Sequence, residues 1–359
     1  MSRFFSERHG GLTPYTPGEQ PQDRKYIKLN TNESPYPPAP LAQRLAREAV
    51  GDLQLYSDPE CRALKQTAAE YYNVKPEELL FVNGSDEALS FAFMGFCDEK
   101  RPAVFADVTY GFYPVYAELY HIPVRVIPLK PDFRIDPEDY RRAQGTLFIA
   151  NPNAQTGLAL PVSAIEDLVR EDPGRLVVVD EAYVDFCGES CVPLIHRYDN
   201  LLVIQTLSKS RNMAGARLGV AIGCEALIRD MNTLKYSTNP YNVNRVTQAA
   251  GIGAFLEKEY FRSCCSRIVA SRERLKAALK ELGFAYTDSR SNFVLARCPA
   301  VSGGELYLRL KEQGILLRHF SDPRLNDWVR ITVGSETEVD SLIDALTALV
   351  REKQEAENA

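Results

Sequence analysis

Residues 175–181 read RLVVVDE, and residues 200–209 read NLLVIQTLSK. Each segment is an apolar run of strand length that ends in polar residues, and a helical pattern, VSAIEDLVRED at 162–172, precedes the first. Similar apolar runs occupy residues 102–107, 123–129, 146–151 and 217–223. Strands that are apolar on both faces and alternate with helices indicate a mainly parallel sheet covered on both sides. The sequence therefore predicts an α/β fold.

Outside this alternating region the pattern changes twice. Closely spaced prolines in the first 40 residues predict an extended arm rather than a helix. A long amphipathic stretch from Asn244 to about Leu282 predicts one long helix, and it leads into a smaller α+β unit. The strands expected in that unit are SNFVLARC, ILLRHF and WVRITVG. We predict an arm at 1–40 that joins the small domain, a large α/β domain at 41–245 and a small α+β domain at 246–359.

The composition excludes several classes of protein. The 359 residues include 42 Lys and Arg against 48 Asp and Glu, a net charge of −6 that argues against nucleic-acid binding. No apolar run approaches the roughly 20 residues of a membrane span, and MSRFFSERHGG at the start lacks an apolar signal region. We therefore expect a cytoplasmic protein. The eight cysteines and four histidines show no zinc-ligand spacing, so we expect reduced thiols and no metal site.

Polar residues cluster where the predicted strands end. In open α/β sheets ligands bind beyond the carboxyl ends of the strands. Asp180 and Tyr183 follow one apolar run, Lys209 follows the next, and Arg217 stands eight residues after Lys209. Further candidates at turns near the same edge are Ser85, Asp86, Tyr110, Asn153, Thr206 and Ser208. Each residue alone has an ordinary explanation as a cap, a turn or a surface charge, but those explanations do not predict their convergence.

Five of these residues suit a phosphate group. The hydroxyls of Thr206 and Ser208, the guanidinium of Arg217 and the free N–H groups at Ser85 and Asp86 would together form an anion site at a helix N-terminus.

Three others suit a flat heteroaromatic aldehyde. Asp180 beside a ring nitrogen would keep that nitrogen protonated, and the face of Tyr110 could stack on the ring. A desolvated Lys209 could form a Schiff base with an aldehyde. Phosphate, ring nitrogen, flat ring and aldehyde together describe pyridoxal phosphate.

The motifs that carry these residues also occur together in one known family. They are VNGSDEAL at 82–89, NPNAQTG at 151–157, VVVDEAYVDF at 177–186 and TLSKSRNMAGARLG at 206–219. With GLTPYTPGEQP, KLNTNESPYPP and VRITVG they run in family order over nearly the whole chain. The sequence resembles the fold-type-I aminotransferases and, more narrowly, the histidinol-phosphate aminotransferases.

The resemblance implies a role for each candidate. Lys209 would hold pyridoxal 5′-phosphate as a Schiff base and shuttle a proton, Asp180 would pair with the ring nitrogen, and Tyr183 would bind the ring 3′ oxygen. Tyr110 would stack on the ring, and Tyr56 would reach the phosphate of the other subunit's cofactor. The phosphate would be held by Ser85, Asp86, Thr206, Ser208 and Arg217. The anionic group of the substrate would be bound by Arg330, with Arg318, Tyr15 and Asn32 nearby.

One motif departs from the family. The family's loop commonly ends N-N-P-T-G or N-A-P-T-G, whereas this chain has Ala154 and Gln155 before Thr156. The asparagine that often binds the ring oxygen is therefore missing at 154. Either Asn153 takes over this contact or Tyr183 makes it alone.

The resemblance implies a homodimer with shared active sites that moves an amino group from an amino donor to a 2-oxo acid. The expected substrates are L-histidinol phosphate and 2-oxoglutarate. Other possibilities are an aminotransferase for aromatic or other amino acids and a threonine-phosphate decarboxylase. A catalytically silent binding protein on the same fold is a further alternative. The presence of Lys209, Asp180 and Arg217 argues against silence, since packing alone does not require them.

Overall fold

The computed structural model describes residues 2–357. Its strands are β1 (Ile27–Lys28), β2 (Leu79–Asn83), β3 (Ala103–Ala106), β4 (Val124–Ile127), β5 (Thr146–Ala150), β6 (Val177–Asp180), β7 (Leu201–Thr206), β8 (Leu218–Gly223), β9 (Ala285–Tyr286), β10 (Phe293–Arg297), β11 (Ile315–Leu316), β12 (Arg318–His319) and β13 (Val329–Thr332). Its α-helices are α1 (Pro40–Ala49), α2 (Arg62–Tyr72), α3 (Gly84–Phe96), α4 (Phe112–Tyr120), α5 (Pro137–Arg141), α6 (Val162–Glu171), α7 (Glu225–Thr238), α8 (Arg245–Leu256), α9 (Lys258–Glu281), α10 (Gly303–Glu312) and α11 (Glu336–Glu357).

A seven-stranded sheet in the order β2-β8-β7-β6-β5-β3-β4 forms the centre of the larger unit. β8 runs antiparallel to both of its neighbours, and the remaining pairs are parallel. Every residue of β5, β6, β7 and β8 is buried, which explains why these strands are apolar on both faces. The predicted α/β fold with a mainly parallel sheet is confirmed.

The strand predicted at 123–129 differs from the others. β4 lies at the edge of the sheet, and its side chains are exposed except for Ile127. Val124 and Val126 each retain 48% of their accessible surface. The expectation that this run is buried on both faces is wrong, because an edge strand has a neighbour on one side only.

The smaller unit is built on a four-stranded antiparallel sheet in the order β12-β13-β10-β9. The segment ILLRHF, predicted as one strand, is divided between two sheets. β11 pairs in parallel with β1 from the N-terminal arm, whereas β12 pairs with β13. The arm is thereby attached to the smaller unit, and the exact domain boundaries proposed at 41 and 246 stay a prediction.

The predicted single long helix from Asn244 to Leu282 is wrong, because the chain breaks at Glu257 into α8 and α9. The carboxylate of Glu257 accepts a hydrogen bond from the backbone N–H of Leu41 at 2.6 Å. α8 packs closely on α1, since a Cβ at Gly253 would lie 2.5 Å from the backbone nitrogen of Ala42. Contact with α1 therefore fixes α8 separately from α9. Among the described residues no helix has the length and apolar character needed to cross a membrane.

Candidate active site

The carboxyl ends of β6 and β7 meet the smaller sheet at a cavity of about 210 Å³. Asp180 ends β6 and Thr206 ends β7, while Lys209 follows three residues later. The predicted residues that line this cavity are Tyr15, Asn32, Tyr110, Tyr183, Lys209, Arg318 and Arg330. Residues from the arm, both sheets and their loops therefore converge on one site.

Lys209 is an amine without an ion-pair partner. Its Nζ donates a hydrogen bond to the carbonyl oxygen of Thr31 at 3.3 Å, and within residues 2–357 no carboxylate lies at ion-pair distance. Burial and then the positive charge of Arg330 lower the pKa of Lys209 to about 8. The unprotonated amine, which is the form that attacks an aldehyde, is thus far more abundant near neutral pH than for an ordinary lysine.

Asp180 is a buried carboxylate with no cationic partner within residues 2–357. Tyr113 Oη donates to one carboxylate oxygen at 3.1 Å, and the backbone N–H of Ala182 donates to the other at 3.2 Å. Burial raises the pKa of Asp180 to about 6, although these two hydrogen bonds oppose the rise. A buried carboxylate in this state is complementary to a protonated ring nitrogen.

The N-terminus of α3 forms the predicted anion cradle. Ser85 and Asp86 lie in the first turn of α3, and neither backbone N–H has a partner within residues 2–357. Across from them Thr206 Oγ1 donates to Ser208 Oγ at 3.0 Å. A Cβ at Gly219 would lie 2.4 Å from the Ser85 nitrogen, so only glycine lets β8 approach the helix end.

The Asp86 side chain has a place that the sequence did not predict. Its carboxylate accepts a hydrogen bond from Tyr110 Oη at 2.6 Å and forms an ion pair with Arg217 Nη2 at 2.6 Å. The resemblance implied only the backbone N–H of Asp86. The carboxylate therefore links the predicted stacking residue to the predicted phosphate-binding arginine.

Asn32 lies beside Tyr183 rather than only near the substrate arginines. Its Nδ2 donates to Tyr183 Oη at 2.9 Å, and its Oδ1 accepts from Thr332 Oγ1 at 3.1 Å. Asn32 has a φ of 55°, a left-handed conformation that asparagine tolerates better than most residues. The amide of Asn32 thus stands next to the hydroxyl predicted to bind the ring oxygen.

The structure does not bring Asn153 into the Lys209 cavity. Its Nδ2 donates to the carbonyl of Val108 at 2.9 Å, and its Oδ1 accepts from the N–H groups of Gln155 and Thr156. The carboxamide is therefore occupied in shaping its own loop. Asn153 lines a different cavity of about 570 Å³, so the expected contact of Asn153 with the cofactor is not supported by its position.

The two predicted substrate arginines face each other in register on β12 and β13. Arg330 Nη1 donates to the carbonyl of Ala154 at 2.9 Å and to Gln155 Oε1 at 3.0 Å, whereas its buried Nε has no partner. Arg318 instead donates to the carbonyls of Thr16 and Pro17, both at 3.1 Å. Arg318 therefore holds the arm, while Arg330 keeps donors available.

Two tyrosines complete the set. Tyr15 stacks on Phe112 with ring centroids 4.3 Å apart and lines the cavity from the arm side. Tyr56 does not line the cavity of its own chain. Its side chain is 79% exposed and stacks on Tyr241 with centroids 4.5 Å apart.

Sequence reasoning missed three contacts at the site. Tyr113 on Asp180, Thr31 on Lys209 and Gln155 on Arg330 were given no role in advance. For Tyr113 the available signal was its position three residues after Tyr110, about one helical turn. The other two contacts join segments more than 170 residues apart, and no local pattern marks them.

Comparison with known proteins defines the class. Residues 24–346 match the model of the family described as aminotransferase class I and II. The chain belongs to this family, and it is an enzyme of fold type I that depends on pyridoxal 5′-phosphate.

More specific similarity comes from individual relatives. A histidinol-phosphate aminotransferase of Brachyspira hyodysenteriae is 44% identical over 353 residues, 98% of this chain and 100% of the relative. One from Marinomonas sp. is 46% identical over 97% of this chain and 100% of the relative. A Sinorhizobium meliloti histidinol-phosphate aminotransferase, solved with pyridoxal-5′-phosphate, is 23% identical and has a TM-score of 0.87. It covers 98% of this chain and 99% of its own, and it shares the fold.

The residues in and around the cavity fit pyridoxal phosphate. Within residues 2–357 the amine of Lys209 lacks a carboxylate partner, the buried carboxylate of Asp180 lacks a cation, and the N–H groups of Ser85 and Asp86 lack acceptors. An aldehyde, a protonated ring nitrogen and a phosphate would satisfy these three groups.

Proposed function

We propose that this chain is a histidinol-phosphate aminotransferase that transfers the amino group of L-histidinol phosphate to 2-oxoglutarate in histidine biosynthesis. Support comes from relatives of that name, which are 40–46% identical over nearly the full length. The observation that carries the proposal is the half-buried Arg330, which lines the same cavity as Lys209. Its buried Nε has no hydrogen-bond partner within residues 2–357. A guanidinium with free donors is suited to an anionic substrate group.

The cofactor, when bound, supplies an electron-withdrawing ring that weakens the Cα–H bond of the amino donor. Lys209 would hold the cofactor and, once released from it, accept the Cα proton at Nζ, for which a pKa of about 8 is suitable. Asp180 would keep the ring nitrogen protonated. Asn32 and Tyr183 would present an amide and a hydroxyl to the ring oxygen.

The remaining roles concern binding. We infer that Ser85, Asp86, Thr206, Ser208 and Arg217 hold the cofactor phosphate and that Tyr110 stacks on the ring. When Arg217 and Tyr110 contact the cofactor, their bonds to the Asp86 carboxylate would orient both side chains.

The two half-reactions place different groups on the same arginine. Histidinol phosphate has a phosphate and no α-carboxylate, whereas glutamate and 2-oxoglutarate have carboxylates. Arg330 would therefore bind a phosphate in one half-reaction and a carboxylate in the other, and the planar guanidinium suits both. Tyr15 would close over the bound group, and Arg318 would hold the arm that carries Tyr15.

We further propose a cytoplasmic homodimer with shared sites. Tyr56 belongs to a group of exposed apolar side chains that includes Val50, Leu53 and Leu55, and such a patch favours an interface. In an isologous dimer Tyr56 would reach the partner's cofactor phosphate. Mixing inactive Lys209→Ala and impaired Tyr56→Ala subunits should then regenerate one complete site per hybrid dimer. Mixed subunits that exchange without a gain of activity would contradict shared sites.

The substrate assignment is tested with the wild-type holoenzyme in single-turnover reactions. The enzyme is mixed separately with histidinol phosphate, glutamate, phenylalanine and threonine phosphate, and the visible absorbance of the cofactor is followed. We expect rapid loss of absorbance with histidinol phosphate and glutamate. Rapid reaction of phenylalanine without reaction of histidinol phosphate would indicate an aromatic aminotransferase. Carbon dioxide release from threonine phosphate would indicate a decarboxylase, and no reaction with any of the four compounds would indicate an aminotransferase for another amino acid.

A further inference from the structure

Gln155 occupies the position where the family motif commonly has proline, and its side chain contacts the substrate arginine. Its Oε1 accepts a hydrogen bond from Arg330 Nη1 at 3.0 Å. Gln155 lies in the loop after β5 of the large sheet, whereas Arg330 lies on β13 of the small sheet. This hydrogen bond therefore joins the two units at the predicted anion site.

The hydrogen bond to Gln155 leaves the Nε–Nη2 edge of Arg330 free within the described residues. Both contacts of the guanidinium, to the carbonyl of Ala154 and to Gln155, use Nη1. Within residues 2–357 neither Nε nor Nη2 makes a hydrogen bond, and no carboxylate pairs with the guanidinium. The guanidinium is also flanked by the rings of Phe293 and Phe320, at 5.1 and 5.5 Å. The Nε–Nη2 edge is thus fixed in place for two parallel bonds to an anion.

The orientation of the Gln155 carboxamide follows from the chemistry of its partner. A guanidinium carries only donors, so the carboxamide must turn its oxygen toward Arg330. Its Nε2 group then points away from the guanidinium, and it donates to no acceptor within the described part of the chain. Gln155 lines both the Lys209 cavity and an adjoining cavity of about 360 Å³, together with Tyr15, Arg318 and Arg330.

We propose that Gln155 is a specificity-determining residue whose Nε2 group binds the third terminal oxygen of a phosphate on the amino donor. The inference rests on the proposed function, which it deepens. A carboxylate has two oxygens, and the free edge of Arg330 satisfies both. A phosphate monoester has a third terminal oxygen, and this oxygen would accept a hydrogen bond from Gln155 Nε2. A neutral amide at 155 holds Arg330 and leaves its positive charge available. A carboxylate at 155 would neutralise that charge.

Two substitutions at position 155 test separately the hydrogen bonds of the side chain and its lack of charge. Gln155→Met keeps the length of the side chain and removes its hydrogen bonds, while Gln155→Glu adds a charge that would pair with Arg330. Replacement by proline is unsuitable, because the backbone N–H of Gln155 donates to Asn153 Oδ1 at 2.9 Å and shapes the loop. Gln313→Met is the matched control, since Gln313 is an exposed glutamine at the end of α10 that lines neither cavity.

The measurement is calorimetric binding of inorganic phosphate and of succinate to each holoenzyme, with competition by 2-oxoglutarate to assign the site. We expect Gln155→Met to weaken the binding of phosphate about tenfold, as for loss of one hydrogen bond to a charged group. The binding of succinate should weaken only about twofold. Gln155→Glu should weaken both by about 100-fold, because the new carboxylate competes for Arg330 and repels anions. The affinities of Gln313→Met for both anions should stay within about twofold of wild type.

Turnover provides the second readout. In single-turnover reactions of Gln155→Met with histidinol phosphate, the apparent Kd should rise about tenfold while the rate at saturation stays within about twofold. The proposal would be overturned if Gln155→Met lost affinity for phosphate and for succinate to the same extent. It would also be overturned if the variant reacted more slowly at saturation with an unchanged apparent Kd. If wild-type enzyme does not react with histidinol phosphate, the proposed function fails, whereas the comparison of phosphate with succinate still decides the role of Gln155.

Discussion

Replacing Tyr113 with phenylalanine should impair catalysis although Tyr113 has no place in the cavity itself. Its hydroxyl donates to Asp180 at 3.1 Å, and among the described residues the carboxylate accepts one other hydrogen bond, from the N–H of Ala182. The Tyr113 ring packs among Phe93, Phe105 and Phe148 with centroids 5.7–5.9 Å away. Phenylalanine preserves this packing, so the substitution removes one hydrogen bond and little else.

The magnitude follows from the charge on Asp180. A hydrogen bond to a charged group contributes about 1.5–3 kcal/mol. At about 1.36 kcal/mol per unit, losing it should raise the pKa of Asp180 in the cofactor-free protein by about 1–2 units above its value near 6. If the same bond orients Asp180 toward the ring nitrogen, kcat should fall by roughly tenfold to 100-fold.

Tyr140 offers a matched control. It is also a buried tyrosine, but its hydroxyl has no hydrogen-bond partner in the part of the chain that the structure describes. Tyr140→Phe should therefore leave kcat unchanged and should not lower the free energy of unfolding. In urea, the free energy of unfolding of cofactor-free Tyr113→Phe should fall further below that of wild type at pH 8, where Asp180 of the wild type is ionised, than at pH 5, where it is largely protonated. Wild-type turnover by Tyr113→Phe, or losses equal to those of Tyr140→Phe, would refute the argument.

Four further predictions concern charged residues in and beside the site. Lys209→Ala should abolish transamination, and borohydride reduction of wild-type holoenzyme with peptide mapping should label Lys209; a label on another lysine would contradict its role. Asp180→Asn should lower kcat by several orders of magnitude. Because burial raises the pKa of Asp180 to about 6 and of Glu181 to about 7, both groups bind protons more tightly when folded. In urea titrations the free energy of unfolding of the cofactor-free wild type should therefore fall as pH rises from about 4 through 7. Asp180→Asn should make this fall with pH smaller. An equal fall in the variant would contradict the burial argument. Arg330→Ala should raise the KM for both histidinol phosphate and 2-oxoglutarate, and Arg330→Lys should restore little, since lysine lacks the planar fork; full rescue by lysine would show that charge alone suffices.

The features that the sequence predicted well are those that depend on local pattern. The buried strands β5 to β8 read as apolar runs because both of their faces are covered. Asp180 and Lys209 could be brought together in advance because parallel neighbouring strands end at the same edge of a sheet. The order of the strands was not predictable in this way, since pairing between β2 and β8 joins segments far apart in the chain.

The errors came where tertiary contacts decide between local alternatives. The pattern from Asn244 to Leu282 is helical throughout, and only the contact of Glu257 with Leu41 indicates where the helix divides. Asn153 had two possible partners, the cofactor or its own loop. Its neighbours Gln155 and Thr156 offer N–H groups at 2.9 and 3.1 Å, and these local acceptor contacts are made without any ligand.

The two arginines show how far a prediction from spacing can reach. Their positions on neighbouring strands were predictable, and the register places Arg318 directly opposite Arg330. Their targets were not predictable, because Arg318 donates to arm carbonyls about 300 residues away. Arg318 uses Nη1 and Nη2 to hold the arm, whereas Arg330 keeps Nη2 free within the described residues, so we propose Arg330 as the anion-binding group. If the arm were removed, Nη1 and Nη2 of Arg318 would lose these acceptors, and we expect Arg318 then to become available to an anion as well.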